Sequence, residues 1–174
     1  MTEDILKMDE YMQNWLKKSE DYQADLHHWK PSDKDWSLQQ VLLHLLQVHQ
    51  GSLDMLQKEI ADLDAKENQG IKSWYSFIML KLALKSSKKF KAPRAISNVS
   101  NDVPINEIAS QWNETQKKLL KFIEKYSASI KNKLIFKHPV VGWITLGQTT
   151  DFLLNHLKHH QKQIDLLYLQ IDKK

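Results

Sequence analysis

The sequence predicts an all-α fold, an antiparallel four-helix bundle with an additional short helical or irregular segment, on three observations. Only four glycines and four prolines occur in 174 residues, which leaves room for long helices and few tight turns. Apolar residues recur at three- and four-residue steps through several long stretches, the spacing of a buried helical stripe. No sustained apolar and polar alternation marks a half-buried strand, and no internal repeat is present. At this length one domain, residues 1–174, buries a sufficient core without cross-links.

The first amphipathic stretch covers Ile5 to His28 and ends where Trp29-Lys-Pro-Ser-Asp-Lys-Asp35 supplies a proline and turn formers. A second helix starts at once. Ser37 is placed to cap it with Gln40 three residues on, and Trp36 and Val41 occupy the positions of a hydrophobic staple. This helix runs to about Leu63. Beyond Asp-Ala-Lys-Glu-Asn-Gln-Gly70 a third helix, Ile71 to Ser87, carries Trp74, Phe77, Ile78, Leu80 and Leu82, and gives way near Lys91-Ala-Pro-Arg94. A polar loop follows. Pro104 suits the first turn of a fourth helix, whose apolar face includes Ile105, Ile108, Trp112, Leu119, Phe122 and Ile123 up to Tyr126. Ser127 to Ile144, with Pro139 and Gly142, is less regular and partly extended; Thr145 and Gln148 then repeat the capping-box pattern and open the last helix.

Composition narrows the function classes. With no cysteine, disulfides, thiolate metal sites and a cysteine nucleophile are excluded, and a reducing, cytoplasmic location is expected. The N-terminus has acids where a secretory signal carries positive charge, and the most apolar run, Phe77 to Leu84, is broken by Lys81 and is far shorter than the roughly 20 residues of a membrane span. No membrane partner is expected. The net charge of +4 is spread among acids except from Lys81 to Arg94, where cations occur without a single acid. Lysines near helix-end carbonyls account for that cluster, and nucleic-acid binding is not expected of it. No serine sits in a glycine-flanked elbow, no phosphate-binding glycine loop occurs, and Asp102, Glu107, Asp151 and Asp165 read as caps or surface acids.

The chemistry concentrates on the last helix. Thr149, Leu153, His156, His160, Ile164 and Leu167 form its inward stripe, so His156 and His160 lie one turn apart on one face, with about 5–6 Å between Cβ atoms. Two convergent imidazoles are metal donors. His159, rotated by about 100° from His160, lies at the edge of the stripe. A third ligand must come from another helix. His44 and His49 on the second helix are the candidates, with His27, His28 and His138 nearer to loops; angular position favours His49, but in a bundle each helix touches two others and angle alone does not choose. Of six tryptophans, Trp143, leading directly into the last helix, is expected nearest the site.

The combination of Trp36-Ser37-Leu-Gln-Gln-Val-Leu-Leu-His44-Leu45 early, then His138-Pro139, Gly142, Thr145-Leu146 and His156-x-x-x-His160 with Gln163-Ile164, resembles the DinB and YfiT-like superfamily over nearly the whole chain. The resemblance implies a four-helix bundle with one divalent metal, typically zinc or nickel, held by His44, His156 and His160, with His49 as a nearby pocket residue. Gln47 stands where many members have an acid, which removes a proton-transfer role from that position. Three neutral imidazoles leave a coordination position open for water or a thiol. The resemblance further implies a small-molecule substrate, a homodimer, and thiol S-transferase or hydrolase chemistry with a low-molecular-weight thiol such as bacillithiol as co-substrate. The alternative is a non-catalytic, stress-associated binding or scaffold bundle with a structural or adventitious metal. Lys91 and Arg94 are candidates to receive an anionic thiol, with no catalytic role assigned.

Overall fold

In the computed structural model, which describes residues 1–85 and 99–174, the chain is mostly helical with a small two-stranded sheet. The order is α1 (Thr2–Ser19), α2 (Ala24–His28), α3 (Leu38–Glu59) continued by one 3-10 turn (Ile60–Asp62), α4 (Ile71–Lys85), α5 (Ile105–Tyr126), β1 (Leu134–His138), β2 (Gly142–Thr145) and α6 (Leu146–Ile171).

Four long helices pack in a closed circuit: α3 on α5, α5 on α1, α1 on α6 and α6 on α3. The apolar periodicity explains it. Met8 and Met12 of α1, Leu42, Leu45 and Leu46 of α3, Trp112 and Leu119 of α5, and Leu153 and Ile164 of α6 are fully buried in one core. The indole N–H of Trp112 donates to Asp9 at 2.9 Å, so the largest buried ring has its polar atom satisfied at the core's edge. α4 lies outside this circuit, against α6 and β2. Among the described residues no helix is long and apolar enough to cross a membrane.

One expectation is corrected and one is sharpened. The first stretch is not one helix to His28: α1 stops at Ser19, whose hydroxyl donates to the Leu16 carbonyl, and Tyr22 turns inward to stack on Tyr168 at 5.6 Å while its hydroxyl donates to Asp172. That contact with the end of α6 outweighs the local helical pattern. The segment after α5 contains a true hairpin, with Leu134 opposite Thr145, Phe136 opposite Ile144, Lys137 opposite Trp143 and His138 opposite Gly142, and a register irregularity between Leu134 and Phe136. Gly142 has φ +76, a left-handed conformation that closes the three-residue loop and that a side chain would strain. The hairpin is anchored on the chain before α4: the N–H of Gln69 donates to Asn132 and that of Leu134 to Glu67, both at 2.8 Å. Positions 86–98, which include the end of the expected third helix, Lys91, Arg94 and most of the Lys81 to Arg94 cluster, lie outside the described residues.

Candidate metal centre

Two capping boxes set the helices that carry the histidines. At the start of α3 the Ser37 hydroxyl accepts from the Gln40 N–H at 3.1 Å and the Gln40 side chain accepts from the Ser37 N–H at 3.2 Å. The same reciprocal pair joins Thr145 and Gln148 at the start of α6, at 3.3 and 3.0 Å. Each box satisfies two amides that a helix start leaves without partners, so both helices begin at fixed residues. The face each histidine shows then follows from counting turns.

The structure brings His44, His156 and His160 together. One ring nitrogen from each lies within 4.8 Å of the other two. His156 and His160 have ring centroids 4.7 Å apart, and His44 sits 5.1 Å from each. The Nε2 atoms of His44 and His156 are separated by 3.4 Å. In a tetrahedral site with metal–nitrogen bonds of about 2.0–2.1 Å, two donor nitrogens lie roughly 3.3 Å apart, so this edge already has the spacing that a cation requires.

Protonation fits the same reading. Burial holds His156 well below the ordinary imidazole range, with His160 and His44 adding to the effect, and burial pushes His160 down to about 4 against the opposing hydrogen bond from Gln163. Both rings are therefore neutral and keep a lone pair. The His160 Nδ1–H donates to the Gln163 side-chain oxygen at 2.9 Å, which leaves Nε2 as the donor atom toward the other histidines. His156 has Phe152 stacked on it at 5.6 Å, and its buried Nδ1 has no hydrogen-bond partner. Converging imidazole nitrogens at this range are compatible with a divalent cation.

These histidines open onto a cavity of about 1470 Å³ whose walls include Trp36, Met55, Phe136, Phe152 and Val141. Gln47 also lines it. Trp36 packs 5.0 Å from the His44 ring. The expectation that Trp143 lies nearest the site is corrected: it sits on β2 under the Lys66 ammonium at 4.9 Å and is absent from the cavity wall. Its neighbour across the hairpin is Lys137, on the outward side of the pleat. Trp36 was legible as the staple residue immediately before the N-cap Ser37, eight positions ahead of His44.

The remaining histidines divide by element. His49 is fully buried but faces α5, where its Nδ1 accepts from the Gln116 amide at 2.9 Å and its ring lies 4.5 Å from Trp112. It is a core residue and lines no part of the cavity, which corrects both its angular candidacy and its expected place in the pocket. Five residues separate it from His44, about 140° around the helix, enough to turn one toward α6 and the other toward α5. His27 bonds to the Ser19 carbonyl at 2.9 Å and His28 to the Asn101 carbonyl at 2.5 Å, both away from the cluster. His159 bonds to the Leu84 carbonyl at 3.0 Å and ties α6 to α4. Asp151 makes the same connection through Lys81 at 2.6 Å, in keeping with its reading as a surface acid. Sequence reasoning gave no role to Gln163 or Phe152, although their spacing from His160 and His156 places them on the histidine face.

Comparison with known proteins gives one relative and one family. A protein of Bacillus subtilis (strain 168) described as uncharacterized protein YuaE is 25% identical over 147 residues, covering 83% of this chain and 84% of that protein. No solved structure matches the chain significantly. The profile of the DinB superfamily matches residues 9–164, a span that takes in α3, the hairpin and all three converging histidines, and the chain belongs to that superfamily.

Proposed function

We propose that the protein is a metal-dependent enzyme of the thiol S-transferase or hydrolase type, in which His44, His156 and His160 hold one divalent cation, zinc or nickel, at the floor of the cavity. The observation that carries this reading is the convergence of three imidazole nitrogens within 4.8 Å on a cavity large enough for a small-molecule substrate. The closed packing of α1, α3, α5 and α6 supports describing the fold as a four-helix bundle, in which sites are assembled from facing helices.

The chemistry that a bound cation supplies is deprotonation of a water or a thiol near neutral pH. The protein's own contribution is separate. His156 and His160 stay neutral, Gln163 fixes the His160 tautomer, and the apolar walls around Phe152 and Trp36 limit water around the reacting atoms. A small thiol such as bacillithiol is the proposed co-substrate, on family resemblance.

Metal analysis of untagged protein tests the reading directly. About one divalent ion per chain is expected, and His156→Ala should abolish it. An absent or unchanged metal content would sink the enzyme reading in favour of a non-catalytic binding bundle. A screen of small thiols against a model electrophile, with and without metal, then separates transferase from hydrolase chemistry.

A further inference from the structure

The hairpin that leads into α6 carries a buried histidine outside the metal group. His138 ends β1, is 5% exposed and pairs with Gly142. The loop after it folds back so that the N–H groups of Val140 and Val141 both point at its Nδ1, at 3.2 and 3.4 Å. Two donors converging on one ring nitrogen leave no room for a proton there, so the neutral ring carries its hydrogen on Nε2. Burial pushes its pKa down to about 4, which keeps the ring neutral at ordinary pH. Phe152 meets it nearly at right angles, with centroids 4.6 Å apart, and the same Phe152 stacks on His156. His138 thus lines the cavity one ring away from the metal group, and its Nε2 has no hydrogen-bond acceptor among the described residues.

We propose that His138 is a substrate-binding residue: its Nε2–H is a fixed, neutral donor to an oxygen of the molecule that reacts in the cavity. The assignment rests on reading the cavity as a metal-dependent active site. It selects molecules with an acceptor oxygen a few bonds from the reacting atom. A neutral imidazole donor can polarise a carbonyl or hold a carboxylate without giving up its proton, and the two backbone amides keep it in that tautomer through turnover.

Nitrogen-15 NMR of the imidazoles, without added metal and with His138 assigned through the His138→Phe variant, should show the Nε2–H tautomer; the Nδ1–H tautomer overturns the proposal whether or not metal binds. The zinc-loaded wild-type protein is then titrated with 3-mercaptopropionate and with 1-propanethiol. The His138 Nε2–H resonance should move downfield with the first and stay in place with the second. In the cobalt-loaded protein, followed by its thiolate absorption, His138→Phe should weaken 3-mercaptopropionate by about tenfold and leave 1-propanethiol within about twofold. Equal losses for both thiols, or none, overturn the proposal while the metal reading stands. A wild-type protein that takes up neither metal overturns the metal reading, and with it this role for His138.

Discussion

Gln163 shows how much of the proposed metal site can rest on a side chain outside the three histidines. Its oxygen accepts from His160 Nδ1 one turn along α6 and so decides which ring nitrogen faces His44 and His156. Outer partners of this kind are worth about 10–100-fold in metal affinity. Gln163→Ala should therefore weaken zinc binding by about that factor in a chelator competition while the helix content stays unchanged; wild-type affinity would show that packing alone orients His160. His49 makes the opposite prediction. Because it bonds to Gln116 and faces Trp112, His49→Leu should leave the metal content at the wild-type level and change only stability, as metal analysis beside urea unfolding would report. The i, i+4 histidines and their inward face were readable from spacing. The choice of His44 over His49 was not, because both faces of α3 are buried and only the packing partner, α6 or α5, tells them apart.

At the level of elements, the starts of α3 and α6 were legible because a capping box is local chemistry, three residues long, and owes nothing to tertiary contacts. Thr145 has a second duty as the last residue of β2, so one residue both ends the hairpin and opens the helix that carries His156 and His160. Thr145→Ala should cost about 1 kcal/mol in urea unfolding, the usual loss for a removed cap; a change near zero would mean that the hairpin alone sets where α6 begins. Less legible was the break between α1 and α2. The local pattern there is helical throughout, and the bend comes from Tyr22 reaching a residue 150 positions away. The hairpin was legible only as a partly extended segment: β1 shows two consecutive buried residues, Ile135 and Phe136, at its register irregularity, so the strict alternation that would announce a strand is missing.

For the whole molecule, burial of several neutral imidazoles ties stability to pH. His49, His138 and His160 are pushed by burial from 6.5 to about 3, 4 and 4. Above pH 6.5 each is neutral both folded and unfolded, and its full contribution is present. As the pH falls, the unfolded chain takes up protons that the folded chain refuses, so stability is lost through the window from 6.5 down to about 4 for His138 and His160 and to about 3 for His49, by at most about 1.4 kcal/mol per pH unit for each group. The urea midpoint of the metal-free protein should fall steadily across that window; a flat profile would contradict the burial of these rings.

The donors that face each other at 3.4 Å are also 112 residues apart in the chain. The His156 and His160 pair needs only one helix, but the third nitrogen arrives only after a loop of that length has closed and α3 has docked on α6. A cation that needs all three therefore discriminates between the native state and every partly folded one, including a chain with α6 formed but undocked. A cation held by all three histidines would therefore bind only after this long-range closure, and by mass action its free concentration would set how rarely the completed protein reopens.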